Sequence, residues 1–387
     1  MSVTAAGGFV AAGGHVGIKG PGAPDLALVA TADGQPVPAA GVFTRNLACA
    51  GPVRVSKRHL EQTGGHAAAV VLNSGNANCA TGTDVDVAEE MCALTADAVG
   101  APSANHVLVC STGLIGVPLD PAPIRAGIPT VGATRTAGRS SAADAARAIM
   151  TTDTVPKEVV VAADGWTVGG MAKGAAMLAP NMATMLAVLT TDAAVEAGRL
   201  RAMLADAVGG SFNRVVVDGC TSTNDTVLIL ASDTAGPPPS TDAFAQTLHD
   251  ACLSLARQMA ADAEGHTKVV TIEVTGAATD SEAETVARRL ATNLLVKCSF
   301  YGSDPYWGRV LSELGVAGVA LDVDNVTIAY DDIVVSAGLA PTGADAAKTA
   351  AAPEFRLHCD LAAGTGSFWV LTNDLSHAYV DENLGTS

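Results

Sequence analysis

Apolar and polar positions along the chain repeat with two periods. From residue 67, AAAVVLNSGNANCATG is an apolar run that ends in a polar Gly/Asn loop, the pattern of a buried strand. The next segment, DVDVAEEMCALTADAVG, begins acidic and closes on glycine, which predicts a helix. HVLVCSTG is then a second strand, with Ser111, Thr112 and Gly113 where a sheet hands over to a loop. AADAARAIMTTD predicts a helix that ends in a Thr-Thr-Asp cluster, and KEVVVAADGWTVGGMAKG a hairpin turning at ADG. After MLAVLTTDA come a helix (DAAVEAGRLRAMLADAVGG), a strand (DTVLILAS) and a long amphipathic helix (TDAFAQTLHDACLSLARQMAADAEG). KVVTIEVTG, VTIAYDDIVVSAG and FRLHCDLAAGTGSFWVLTND alternate with a strand period and predict a mixed sheet in the last third. This alternation of helices and strands is α/β. The one Pro-rich segment, TAGPPPSTD at 234–242, reads as a surface loop, because the same texture resumes on either side.

Composition narrows the picture. The chain has 387 residues, is 49% hydrophobic and only 16% charged, and has 40 glycines; it is long enough for a substantial core and unlike a disordered chain. A net charge of −17, without blocks of like charge, opposes binding to nucleic acid. It does not oppose an acidic metabolite held by a few placed Lys or Arg side chains. The eight cysteines are widely spaced, which predicts reduced, mostly buried thiols and neither disulfides nor a zinc site. The opening MSVTAAGGFVAAGGHVGIKG has no basic region and its apolar run is broken by glycines. No uninterrupted apolar run is long enough to span a bilayer, so the expectation is a cytoplasmic protein without a membrane partner.

Several common chemistries find no motif. P-loop, strand-then-GxGxxG, GxSxG and HExxH patterns are absent, and the histidines, His377 among them, are scattered. What remains is Thr184, placed between Ala183 and Met185 just after the breakers Pro180 and Asn181. Its ordinary reading is a strand start with a satisfied hydroxyl. Its chemical reading is a nucleophile: cleavage of the Ala183–Thr184 bond would set a free α-amine, with an ordinary pKa of about 8, beside the hydroxyl. One residue would then hold nucleophile and base together. The small Ala183 leaves the bond open to the same hydroxyl, which permits self-cleavage by an acyl shift.

At this point the motifs can be taken together. MAKGAAMLAPNMATML, with CSTGLIG at 110–116, MTTDTVPK at 150–157, STNDT at 222–226, ADAEGHTK at 261–268, GSDPYWGR at 302–309 and LSHAYVDEN at 375–383, resembles the ornithine acetyltransferase family of arginine biosynthesis over essentially the whole chain. The resemblance implies a single catalytic unit spanning 1–387 that cuts itself into an α chain (1–183) and a β chain (184–387), paired as a heterotetramer of two of each. It implies a fold of two stacked mixed β-sheets between helical layers, like N-terminal-nucleophile hydrolases in architecture but not in connection order. Thr184 would take the acetyl group from N-acetylornithine and pass it to glutamate in a ping-pong transfer that needs neither metal nor cofactor. Acetyl-CoA stays open as a further donor.

The implied oxyanion donors are Thr112 and Gly113, and the implied substrate contacts are Thr151, Lys173, Thr184, Glu264, Asn383 and Ser387. Lys173 would pair with the substrate α-carboxylate and Glu264 with an amino group; Thr151, Asn383 and Ser387 would supply neutral hydrogen bonds. Thr152 is an equal candidate beside Thr151. Taken singly, each residue has an ordinary alternative: a solvated lysine, a helix-end glutamate, a frayed tail. The loops at 72–82 and 218–226 read as bracing or lining a cavity, and Arg309 as a buried organiser. Two departures from the family pattern are the slightly shorter tail after Asn383 and the pair Ala175-Ala176. Two rival functions remain at this level: an amidase or aminopeptidase on the same Thr nucleophile with water as acceptor, and an uncleaved binding protein for acidic metabolites.

Overall fold

The computed structural model describes residues 2–178, 185–238 and 240–385. Ala183, Thr184 and Ser387 therefore lie outside the described residues. The chain divides into two compact units, Met1–Ala175 with Asn181–Asn213 and Cys220–Met259, and Ala176–Pro180 with Arg214–Gly219 and Ala260–Ser387.

The first unit contains, in order, β1 (Phe9–Gly14), β2 (Leu26–Thr31), β3 (Val37–Phe43), α1 (Gly51–Gln62), β4 (His66–Ala67), β5 (Ala69–Asn76), α2 (Asp84–Val99), β6 (Val107–Leu114), α3 (Pro121–Ala133) and α4 (Arg139–Ala148). It continues with β7 (Lys157–Ala162), β8 (Thr167–Lys173), β9 (Leu186–Ala193), α5 (Ala197–Gly209), β10 (Thr226–Gly236) and α6 (Thr241–Ala260). One sheet has the order β1-β2-β5-β6, the other β4-β3-β10-β9-β8-β7. Both are mixed: β5 with β6 and β9 with β10 run parallel, and the other pairs run antiparallel.

The two-residue period of a strand decides what lies between these layers. Ala27, Val29, Val70, Leu72, Leu108 and Cys110 point from the first sheet into a core shared with Met171, Leu186, Val188, Leu228 and Leu230 of the second. Their neighbours in sequence, Leu26, Leu28, Val71, Val107 and Val109, point the other way, onto Val55 of α1, Met91 of α2 and Ile124 and Ile128 of α3. Beyond the second sheet, α5 lies against β3, and Phe244 of α6 packs on Trp166 with ring centroids 5.3 Å apart. The expected pair of stacked mixed sheets between helical layers is thus present in this unit.

The second unit adds a third sheet from β11 (Val269–Ala277), β12 (Thr327–Tyr330), β13 (Ile333–Ala337), β14 (Ala340–Pro341), β15 (Glu354–Asp360) and β16 (Gly366–Asn373), in the order β14-β13-β12-β15-β11-β16. It is the mixed sheet predicted for the last third, with β11 and β15 parallel. Its helices are α7 (Asp280–Thr292), α8 (Leu294–Tyr301), α9 (Trp307–Gly315), α10 (Ala347–Ala350) and α11 (His377–Glu382). Val286 and Leu290 of α7, Phe300 of α8 and Val310 of α9 share a core with Ile272, Ile328, Leu357 and Val370. Phe300 meets Phe355 edge-on at 5.6 Å. Arg309 is half-buried, donates to the Leu295 carbonyl at 3.1 Å and lies over the Tyr306 ring.

Local signals account for several boundaries. Gly100 caps α2 in the left-handed conformation (φ 78°), and the hairpin of β7 and β8 closes at Gly165 (φ 88°). Of TAGPPPSTD, Thr234, Ala235 and Gly236 close β10, and Thr241 and Asp242 open α6. Among the described residues no disulfide is formed, and Cys79, Cys92, Cys110, Cys252 and Cys359 are buried. Among the described residues no helix is long and apolar enough to cross a membrane.

If the core between the two sheets carries the first unit's stability, Leu108→Ala should lower the unfolding free energy in urea by about 2–5 kcal/mol. Val160→Ala, at an exposed position of β7, should change it by less than about 0.5 kcal/mol.

Candidate active site

Thr112 and Gly113 lie at the end of β6, where Ser74 and Gly75 of the parallel neighbour β5 are their register partners. Gly113 has φ 134°, and a Cβ there would sit 2.2 Å from the Gly75 carbonyl carbon, so only glycine fits without moving backbone. Thr112 is buried, and its Oγ1 accepts a hydrogen bond from Lys173 Nζ at 3.3 Å. Thr112 belongs to the first sheet and Lys173, the last residue of β8, to the second. The contact therefore ties together the facing layers of one unit and joins two motifs far apart in sequence.

Lys173 is held there by Asp153. The Asp153 carboxylate is buried; Oδ1 accepts from Lys157 Nζ at 2.7 Å and from the Gly174 N–H at 2.7 Å, and Oδ2 accepts from the Thr151 N–H at 3.0 Å. Lys173 Nζ lies 4.0 Å from Oδ2. Burial on its own would raise the carboxyl's pKa, but Lys173, Lys157 and the Gly174 N–H outweigh it and hold the group at about 2. One anion thus fixes the start of β7, the end of β8 and the loop carrying Thr151.

The adjacent threonines differ in setting. Thr151 is half-buried and lines a cavity of about 400 Å³ with Arg147, Met150 and Asp153, whereas Thr152 is exposed and off that lining. The loops at 72–82 and 218–226 brace this region. Asn224 Nδ2 donates to the carbonyls of Ala77 (2.6 Å) and Ser111 (2.9 Å), and Ser74 Oγ donates to the Ala148 carbonyl at the end of α4 (2.6 Å). Asp225 Oδ1 accepts from the N–H of Met185 at 3.0 Å. Burial pushes the Asp225 carboxyl well above the usual range, against the opposing effects of that N–H, the Ser222 hydroxyl and Lys173.

In the second unit Glu264 and Asn383 are brought together. Asn383 Nδ2 donates to Glu264 Oε2 at 2.8 Å and to the Tyr379 carbonyl at 2.9 Å. The loop carrying Glu264 is packed tightly under α11: a Cβ on Gly265 (φ 58°) would lie 2.1 Å from the Tyr379 nitrogen, and Ser376 Oγ both donates to the Gly265 carbonyl and caps the helix. Glu264 lines a cavity of about 180 Å³ with Asp218, Lys297, Asp374 and Tyr379. Burial draws the Lys297 ammonium down to about 8, although Asp374 and Asp218 favour its charge. Of the residues singled out from sequence, Thr112, Gly113, Thr151 and Lys173 fall in the first unit, and Glu264 and Asn383 in the second.

Comparison with known proteins shows the family. Residues 10–385 match the family model described as the ArgJ family. The chain belongs to the ArgJ family. The arginine biosynthesis bifunctional protein ArgJ of Mycolicibacterium paratuberculosis is 46% identical over 100% of this chain and 96% of its own length. The protein of that name from Streptomyces coelicolor is 47% identical over 100% of both chains. A crystal structure of ornithine acetyltransferase complexed with ornithine from Mycobacterium tuberculosis is 45% identical over 46% of this chain and 94% of that one, with a TM-score of 0.44. As an ArgJ-family member the chain is an acetyltransferase enzyme of arginine biosynthesis.

Asp153 and Asp225 are the residues that sequence reading of this ArgJ-family chain passed over. A signal for the first is present in MTTDTVPK, where Asp153 precedes Lys157 by four residues. The second stands in STNDT with nothing local to mark its burial.

Asp153→Asn removes the charge that pairs with buried Lys157 at 2.7 Å and lies 4.0 Å from buried Lys173, and should destabilise the protein by about 3–5 kcal/mol at neutral pH. Because the folded carboxyl titrates below its unfolded counterpart, its contribution is complete above the unfolded pKa and lost as pH falls through the folded one. The gap between wild type and variant in urea melts should therefore narrow, without closing, between about pH 5 and about pH 2.

Proposed function

We propose that the chain cuts its own Ala183–Thr184 bond, giving an α chain of 1–183 and a β chain of 184–387, and moves an acetyl group from N-acetylornithine to glutamate through an acetyl ester on Thr184. The freed α-amine of Thr184 takes the hydroxyl proton while Oγ attacks the acetyl carbonyl carbon. The tetrahedral oxyanion is received by the Thr112 hydroxyl and the Gly113 N–H. As it collapses, the carbon–nitrogen bond breaks and ornithine leaves with the proton. The glutamate amine then attacks the ester carbonyl carbon; the carbon–oxygen bond to Thr184 breaks, a proton from the amine returns to Oγ, and acetylglutamate leaves with Thr184 restored.

The observation that carries this reading is the hydrogen bond from Lys173 to Thr112. A threonine hydroxyl that accepts from an ammonium keeps its own proton to donate, which is the orientation an oxyanion donor needs. Lys173, buried and fixed by Asp153, is the cation we assign to the substrate α-carboxylate. Thr151, Glu264, Asn383 and Ser387 complete the assigned substrate contacts. The α and β chains are assigned to a heterotetramer and the enzyme to the cytoplasm. The word bifunctional in the relatives' name supports a second donor, for which acetyl-CoA is our candidate.

Purified protein should run as two fragments on a denaturing gel, the larger beginning TMLAVL, and Thr184→Ala should give one full-length band. Two bands from that variant would refute the cleavage assignment. Incubation with N-acetylornithine should yield acetylglutamate only when glutamate is present; free acetate at the same rate with or without glutamate would mean that water is the acceptor. Thr112→Val should lower kcat by about 100- to 1000-fold while leaving the two-band pattern intact, if the hydroxyl serves the acetyl-transfer oxyanion.

A further inference from the structure

The loop that carries Lys19 is organised by one fully buried carboxylate. Asp25 Oδ1 accepts from the N–H of Val16 at 2.7 Å, and Oδ2 accepts from the N–H groups of Gly17, Ile18 and Lys19 at 3.1, 2.7 and 3.0 Å. Four successive donors on one side chain leave this loop little freedom, so Lys19 departs from it in a set direction. The Lys19 stem passes over Gly75, the register partner of Gly113: a Cβ on Gly75 would lie 2.8 Å from Lys19 Cγ. Its Nζ donates to the carbonyls of Pro24, at 3.1 Å, and of Met150, the residue before Thr151. An ammonium has three protons, and two carbonyls leave one to give. The half-buried side chain lines the cavity that also holds Thr151 and Asp153.

Two acids act on the Lys19 charge, Asp25 and Asp153. Asp25 is occupied by the four N–H groups, and Asp153 is engaged by Lys157 and Lys173. Burial pulls the Lys19 pKa down, with Asp25 and Asp153 opposing and Lys173 assisting, so an incoming carboxylate would meet a cation that gains from a partner.

We propose that Lys19 is a specificity-determining residue of the acetyl-acceptor step, binding the side-chain carboxylate of glutamate. This rests on the function proposed above, in which Lys173 takes the α-carboxylate common to donor and acceptor. N-acetylornithine has one carboxylate and glutamate two, so a second cation is required by the acceptor alone. A lysine that merely tied together the Pro24 and Met150 carbonyls would not distinguish glutamate from its neutral isostere glutamine.

The test follows both half-reactions in full-length protein, comparing wild type with Lys19→Met and with Lys19→Gln, which keeps a donor for the carbonyls but no charge. Acetyl-enzyme formation from N-acetylornithine is read by intact mass, and its discharge by glutamate or glutamine is read as kcat and KM. Both variants should still form acetyl-enzyme, the KM for glutamate should rise about ten- to hundredfold, and discharge by glutamine should not change. Equal losses with glutamate and glutamine, an unchanged glutamate KM, or failure of both variants to form acetyl-enzyme would overturn the assignment of Lys19 alone. A wild-type protein that forms no acetyl-enzyme would overturn the parent reading and this one with it.

Discussion

A single buried carboxylate organises the polar end of the first unit. Asp153 could not be buried as an isolated anion, because its desolvation would exceed any benefit of the fold; it persists because Lys157 neutralises it at 2.7 Å and the Thr151 and Gly174 N–H groups occupy its remaining positions. Lys157 and Lys173 are themselves buried beside that anion. The consequence is geometric. The end of β8, the start of β7 and the loop after α4 all meet at one side chain, and Lys173 is directed at Thr112 across the space between two sheets. In the proposed chemistry this is preorganisation: a cation and a hydroxyl set before any substrate arrives.

The apolar sandwich supplies the rigid support for that arrangement. Strands such as β5 and β6 are apolar on both faces because one face meets helices and the other meets a sheet. Polar residues gather where these strands end, at Ser111 and Thr112 on β6 and at Asn73, Ser74 and Asn76 on β5. Their hydrogen bonds run to one another and to neighbouring loops, as in Ser111 Oγ donating to Asn73 Oδ1 at 2.5 Å. Polar groups buried there are paired with care, which keeps the strand ends in a fixed register around glycines that admit no Cβ.

The doubly apolar run VVL of β5 and the acidic start and glycine stop of α2 were legible from sequence because the determinants are local. So were the β7–β8 hairpin, with its ADG turn, and the strand period of the last third. Less legible were β1 to β3, whose Ala- and Gly-rich residues carry little pattern: Gly13 is set by its neighbour, since a Cβ would meet the Asp144 carbonyl oxygen at 2.1 Å. α1, opening with Gly51-Pro52, and α9, opening with Trp307-Gly308, likewise lack a side-chain cap to announce them. At the site, Thr112 and Lys173 could be singled out through their motifs, but the hub joining Lys173 to Thr151 could not. Asp153 acquires Lys173 and Gly174 as neighbours only after a hairpin folds back, and Asp225 acquires its burial only inside a layered core. Pairings of that kind are properties of topology, not of spacing along the chain.

The most direct measurement for the proposed chemistry is peptide mapping of the protein after a brief exposure to N-acetylornithine. The account predicts one acetyl group on the hydroxyl of a chain that begins at Thr184, and its disappearance when glutamate is added. An active preparation whose chain is uncut and unmodified at Thr184 under the same conditions would contradict it.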